Sequence, residues 1–400
     1  MSRLGPLTEP QFRLLFLGRA VSFLGNAVAP VALAFAVLDL TGSKSDLGLL
    51  LAARSLPQVV FILIGGAFAD RLPRHHVMVA SSVVSGLSQA SIAVLLLTHY
   101  AQLWHMIALS VVNGTSTAFF FPASSGVIPQ TVPRELLQQA NAVLRLALNA
   151  SSIIGAALGG IAVAAVGPGW AIAFDGATFL LGAAFIGAMS IRAAEREEVT
   201  TLLAELRDGW REFRGRTWLW AVVLQFSVVN AAEVGGQNVL GPVVAKDRLG
   251  GPAAWGTILA AEAVGLVLGG LIALRFRPRR MLLVATFGIL VMPIVLVALA
   301  LPAPLPVVIA TALVAGIGIE TFGVLWDTTM QQEIPQAKLS RLYAYDMLGS
   351  IMFVPIGLAV AGPLAEAIGV RDTLWAAFAC IEVVTLAVLA VPEVRNLTRR

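Results

Sequence analysis

Apolar residues in this chain come in long blocks broken by short polar interruptions, without the alternation a membrane-barrel strand would require. The blocks fall at about 12–38, 47–69, 77–98, 103–132, 136–166 and 170–191, and again at about 217–245, 252–274, 281–301, 304–333, 342–366 and 371–391. A bilayer core of about 30 Å takes roughly 20 apolar residues per helical crossing. The pattern therefore predicts twelve transmembrane helices, several long enough to tilt or project beyond the lipid. Helices are expected because backbone groups in lipid must be satisfied within their own segment, and Pro57, Pro122 and Pro355 are tolerated in such spans. The stretch Met1 to Gln11 is polar and leads into the first block without a small-residue cleavage pattern, so no removable signal peptide is expected.

The two sets of six blocks repeat one another. Gly65-Gly66-Ala-Phe-Ala-Asp70-Arg71-Leu-Pro-Arg74-His75 corresponds to Gly269-Gly270-Leu-Ile-Ala-Leu274-Arg275-Phe-Arg-Pro-Arg279-Arg280 with one inserted residue. Ile128-Pro129-Gln130 matches Ile334-Pro335-Gln336, and Gly160 with Gly167 matches Gly362 with Gly369. Between the sets lies the longest polar stretch, in which leucines and a tryptophan recur at helical spacing among charges; it predicts a short amphipathic cytoplasmic helix. The expected fold is an all-α membrane protein of twelve helices in two pseudo-symmetric halves, 1–192 and 217–400, joined by a linker at 193–216. Parallel six-plus-six repeats are one architecture of secondary transporters, whose halves rock about a central cavity.

Composition agrees and removes alternatives. Of 400 residues 58% are hydrophobic and only 12% charged, about half the charged fraction of a soluble domain. The net charge of +4 is sorted by loop. With the amino terminus in the cytoplasm, 20 of the 27 Lys and Arg residues fall on the inside, four outside and three within spans. This is the positive-inside pattern rather than a nucleic-acid footprint, and it places both termini in the cytoplasm. The one cysteine, Cys380, excludes an intrachain disulfide framework or a thiolate metal cage. His75, His76, His99 and His105 show no metal-ligand spacing, and Gly42-Ser-Lys44-Ser is not a phosphate-binding loop. No cofactor, metal or catalytic constellation is expected. Short loops, scarce Lys and richness in Ala, Arg and Gly point to a bacterial cytoplasmic (inner) membrane.

Gly66-x-x-x-Asp70-Arg71-x-x-Arg74 resembles the signature of the major facilitator superfamily between helices 2 and 3, and the resemblance spans essentially the whole chain. Within that superfamily SFLGN (22–26), LDLTGS (38–43), FPASSGVIPQTVPRELLQQANAV (121–143) and QQEIPQAKLSRLYAYD (331–346) resemble the bacterial macrolide and siderophore exporter branch, a drug:proton antiporter type. Pro73 departs from the usual Gly, and His75 replaces a common base. Helix 4 has Asn113-Gly-Thr-Ser-Thr-Ala-Phe where many proton-coupled exporters carry an Arg, so coupling through that Arg does not transfer. Gly155-Ala-Ala-Leu-Gly159-Gly160 is similar to the antiporter motif of helix 5 without its Pro. The resemblance implies a cytoplasmic gate of Gly66, Asp70, Arg71 and Arg74, in which the acid accepts hydrogen bonds from the amino-terminal end of helix 11 and the bases hold neighbouring helix ends.

Ionisable groups inside spans are costly and so are functional candidates. Glu262, Glu233 and Asp175, in that order, are the candidates for carrying a proton, because desolvation disfavours the charged form of a carboxyl. Arg145, Asp327, Arg19, Arg54 and Glu320 are candidates for charge pairing, Arg145 and Asp327 as a pair between halves. Gly155, Gly159 and Gly160 form a small-residue stripe expected to pack on helix 8 at Gly265, Gly269 and Gly270. Phe119, Phe120, Phe322 and Trp326 are candidates to line an apolar cavity. The expected activity is proton-coupled export of hydrophobic or amphipathic small molecules by alternating access, by a monomer whose partners are substrate, protons and lipid, with no nucleic acid. Proton-coupled uptake, or facilitated passage of a small metabolite, uses the same scaffold and stays open. An integral-membrane enzyme or a channel would leave the repeat and the gate charges unexplained.

Overall fold

A computed structural model describes residues 5–69, 73–191, 209–275 and 278–397. Its first six long helices are α1 (Pro10–Thr41), α2 (Lys44–Ala69), α3 (Arg74–Leu97), α4 (Leu103–Val127), α5 (Leu137–Val166) and α6 (Pro168–Gly187). Six more follow: α7 (Thr217–Leu249), α8 (Pro252–Arg275), α9 (Met281–Ala300), α10 (Leu305–Glu333), α11 (Gln336–Ile351 and Val354–Ile368) and α12 (Val370–Leu389). A short α13 (Pro392–Asn396) closes the described chain. Among the described residues eleven helices are long and apolar enough to cross a membrane, and α2, with 26 residues, is a twelfth of sufficient length. The described part of the linker is helical at 209–214.

Interruptions inside these helices have local causes. Pro293 accompanies a break in α9 between Ile289 and Ile294, and Pro355 opens the second segment of α11 after a break at residues 352–353. α4 tightens into a 3₁₀ turn at Ile128–Gln130, and α10 stops at Glu333 just before the matching Ile334-Pro335-Gln336. The repeat extends to backbone conformation. Gly167 (φ 86°, ψ 165°) links α5 to α6 and Gly369 (φ 91°, ψ 154°) links α11 to α12. Their N–H groups donate to Val163 and Ala365, four residues back, at 3.0 and 3.1 Å. Positive φ is open to glycine at little cost, so this corner explains why both halves carry one there.

The chain clusters into two compact units, residues 1–195 with 245–260 and residues 196–244 with 261–400. In the first, α3 packs on α4 and α6, α1 on α5 and α6, and α2 on α4. The end of α7 and the start of α8 belong to this unit. Lys246 donates to the Leu38 carbonyl at 3.0 Å and pairs with Asp39 at 2.6 Å, at the carboxyl end of α1, where a cation is favoured by the helix dipole. In the second unit α7 packs on α11 and α12, while α9 packs on α10 and α12. There Glu393 of α13 accepts the Trp218 backbone N–H at 3.0 Å, capping the start of α7.

Glycine placement decides which helices touch. Gly155 meets Leu24 and Ala27 of α1, Gly159 meets Val28 of α1, and only Gly160 reaches α8. Its partner is Gly256, not the expected Gly265, Gly269 and Gly270. Gly265 and Gly269 instead draw α8 onto Leu313, Gly316 and Ile317 of α10, and Gly270 faces Glu320. Small residues on a helix allow close approach without choosing the neighbour; that depends on which face the rest of the bundle presents.

Candidate functional site

The second unit holds two acids in neighbouring spans, Glu233 on α7 and Glu262 on α8. After Val234, α7 widens into a π-helix over Gly235–Leu240, a geometry that adds a residue to the turn and recurs at functional sites. Within it Gln237 donates through Nε2 to Glu262 Oε2 on α8. Glu233 lies one turn before Gln237, 7% exposed, with Oε2 buried and unbonded among the described residues. Among the described residues no Lys or Arg forms an ion pair with either acid. α10 supports the site from behind. Gly316 lies directly under the Glu262 backbone carbonyl, so a side chain there would displace the α8 turn that carries the acid.

Asp175, the third proton candidate, belongs to a separate cluster in the first unit. It is fully buried on α6, where Gln89 of α3 donates to its Oδ2 at 2.5 Å while Oδ1 has no partner among the described residues. Arg54 on α2 interacts with it electrostatically without forming an ion pair among the described residues, and the Arg54 carbonyl rests on Gly114 of α4. The sequence placed Asp175 and Arg54 in different roles; in the structure they share one polar core. Asn113, next to Gly114, is buried with both amide atoms unbonded among the described residues.

Of the expected gate, Asp70 and Arg71 lie outside the described residues. Gly66 is in the last turn of α2. Arg74 opens α3 and lays its guanidinium against Gly126, near the end of α4, where only the missing side chain leaves room. A cation at the carboxyl end of a helix is favourably placed. On the second unit, Glu212 of the linker helix accepts from Lys338 at 2.8 Å and from Arg216 at 2.9 Å, and Arg216 also donates to the Glu333 carbonyl at 3.0 Å. Hydrogen bonds first from Lys338 and then from Arg216 hold the Glu212 carboxyl below the usual glutamate range.

The remaining candidates are distributed. Arg19 stacks over Phe23 at 5.0 Å with its Nε buried and unbonded among the described residues. Arg145 is exposed on α5 of the first unit, while Asp327 of the second accepts from Tyr343 at 3.2 Å. Phe119 stacks on Phe61 at 6.2 Å, and Phe120, partly buried, packs against a core of Phe12, Leu15 and Met78. Phe322 and Trp326 stack at 6.0 Å in a ladder continued by Phe226 at 4.3 Å and Trp218 at 5.7 Å. Beside it Trp326 donates to Asp346 at 3.1 Å. Asp346, Gln237 and Gln89 were missed by sequence reasoning. Each is a polar residue in or beside an apolar block, which was the available signal.

Comparison with known proteins fits this architecture. The chain is 27% identical to the multidrug efflux pump Tap of Mycolicibacterium fortuitum, over 98% of this chain and 97% of that protein. It is 21% identical to the macrolide efflux protein A of Streptococcus pyogenes, over 97% of each. The crystal structure of the nucleoside transporter NupG superposes with a TM-score of 0.76 at 12% identity, covering 95% of this chain and 98% of that one. The family model described as Major Facilitator Superfamily matches residues 15–354. Eleven membrane-length apolar helices among the described residues, a backbone-level repeat and that match over most of the length lead to one conclusion: the chain is a multi-pass membrane transporter and belongs to the major facilitator superfamily.

Proposed function

We propose that this transporter exports hydrophobic or amphipathic small molecules from the bacterial cytoplasm in exchange for protons, working as a monomer by alternating access. In this reading 1–192 and 217–400 are the moving halves, both termini are cytoplasmic, and Glu262 carries the proton with Glu233 beside it. The observation that carries the reading is the contact of Glu262 with Gln237 in the π-helical stretch of α7. An ionised carboxyl is expensive at membrane depth, so a group that loads a proton on one side and releases it on the other can couple the gradient to movement. The carboxamide gives the acid a fixed partner, and Glu233 makes a second simultaneous charge costly. The names of the relatives, which pump drugs and macrolides outward, support export as the direction.

Everted membrane vesicles containing the protein provide the test. With an acid lumen, an antiporter accumulates a fluorescent amphipathic substrate and loses it on addition of a protonophore. Depletion of the lumen under the same gradient would establish symport, and indifference to the gradient would establish a facilitator; either overturns the proposal.

A further inference from the structure

On the second unit, a groove of about 520 Å³ runs along α8 beside α10, lined by Leu268, Leu271, Ile272 and Arg275 of α8 and Ile317 of α10. It exists because Gly265 and Gly269 bring the two helix backbones into contact and leave the flanking side chains standing around a furrow. Leu271 is 56% exposed and Ile272 47%, so no other part of the described chain covers the furrow. From Leu268 to Arg275 the helix rises roughly 10 Å, the depth from head-group level into the upper hydrocarbon. At its end α8 finishes on Arg275, which is exposed and is followed in sequence by Arg277, Arg279 and Arg280.

We infer that this groove seats an anionic phospholipid, its phosphate on Arg275 and an acyl chain over Leu271 and Ile272. The apolar walls cannot select by themselves, because lipid tails are as apolar as leucine. Selection comes from the head group. A guanidinium fork matches two phosphate oxygens, and basic positions between helices on the cytoplasmic side attract anionic lipid. Of the five residues that line the groove Arg275 alone is charged, so the favourable place for a phosphate is the Arg275 end. This site lies outside the Glu262 cluster and does not depend on the transport reading.

The test is native mass spectrometry of the full-length protein titrated with phosphatidylglycerol or phosphatidylcholine. The wild type should prefer phosphatidylglycerol by at least about fivefold. Arg275→Gln should bring that preference close to one, Leu271→Trp should weaken both lipids by filling the furrow, and Arg395→Gln, on α13, should change neither by more than about twofold. Retained preference in Arg275→Gln, or equal binding of the two lipids by the wild type, would overturn the inference. So would displacement of phosphatidylglycerol by millimolar inorganic phosphate together with unaltered binding in Leu271→Trp, which would indicate a simple anion site.

Discussion

Adding one methyl group at Gly316 should both destabilise the second unit and uncouple transport. A Cβ built there would collide with the Glu262 carbonyl oxygen and come within 2.9 Å of the Leu266 nitrogen and 3.1 Å of the Glu262 carbonyl carbon. All three are backbone atoms, so no rotamer change relieves the contact; α8 and α10 must separate by about 1 Å to restore normal spacing. Overpacking of this kind costs about 1–3 kcal/mol, a fall in Tm of roughly 2–10 °C for a unit of this size. The same displacement carries Glu262 away from Gln237, and a misplacement of about 1 Å can cost on the order of 100-fold in rate. Gly323→Ala on the same helix is the control. Its Cβ meets nothing within 4 Å, so it should be neutral or gain up to about 1 kcal/mol in helix propensity. Thermal unfolding in detergent and proton-driven uptake into vesicles report the two effects. Gly316→Ala with the Tm and transport rate of Gly323→Ala would refute the reasoning.

Two further outcomes follow from the polar contacts. Asp175→Ala should destabilise the first unit by about 1–3 kcal/mol, because it leaves the buried Gln89 carboxamide without its acceptor; Asp175→Asn should recover part of that in the same thermal scan, and equal Tm values for Ala and wild type would show that the cluster has no structural role. Glu212 has its pKa lowered in the folded protein by Lys338 and Arg216. Its contribution, about 0.2–1 kcal/mol for a partly exposed pair, is therefore present above the ordinary glutamate pKa and lost as pH falls through the depressed folded value. Glu212→Gln should lower Tm slightly at pH 7, and the difference should vanish in acid; a difference that grows with acidity would contradict the sign.

Much of this architecture is legible without coordinates because lipid imposes it. Hydropathy blocks follow directly from the cost of exposed backbone and charge in hydrocarbon. The Gly167 and Gly369 corners were also readable, since a positive φ demands the same residue in both repeats. What could not be read is pairing across helices. The π-helical stretch that carries Gln237 to Glu262 depends on a hydrogen-bond register that hydropathy does not encode. The three glycines of α5 were legible as a packing stripe, but two of them turn to α1 because α1 presents its own apolar face there. Asp346 falls inside the block at 342–366, but hydropathy does not say which neighbour it faces; α11 runs through it and offers it to Trp326.

The most direct test of the account concerns Glu262 alone. Glu262→Gln preserves shape and a polar partner for Gln237 while removing the titratable proton. In proteoliposomes the account predicts that this variant still exchanges labelled for unlabelled substrate without a gradient, and no longer accumulates substrate when a pH gradient is imposed. Gradient-driven accumulation at the wild-type rate in Glu262→Gln would contradict it.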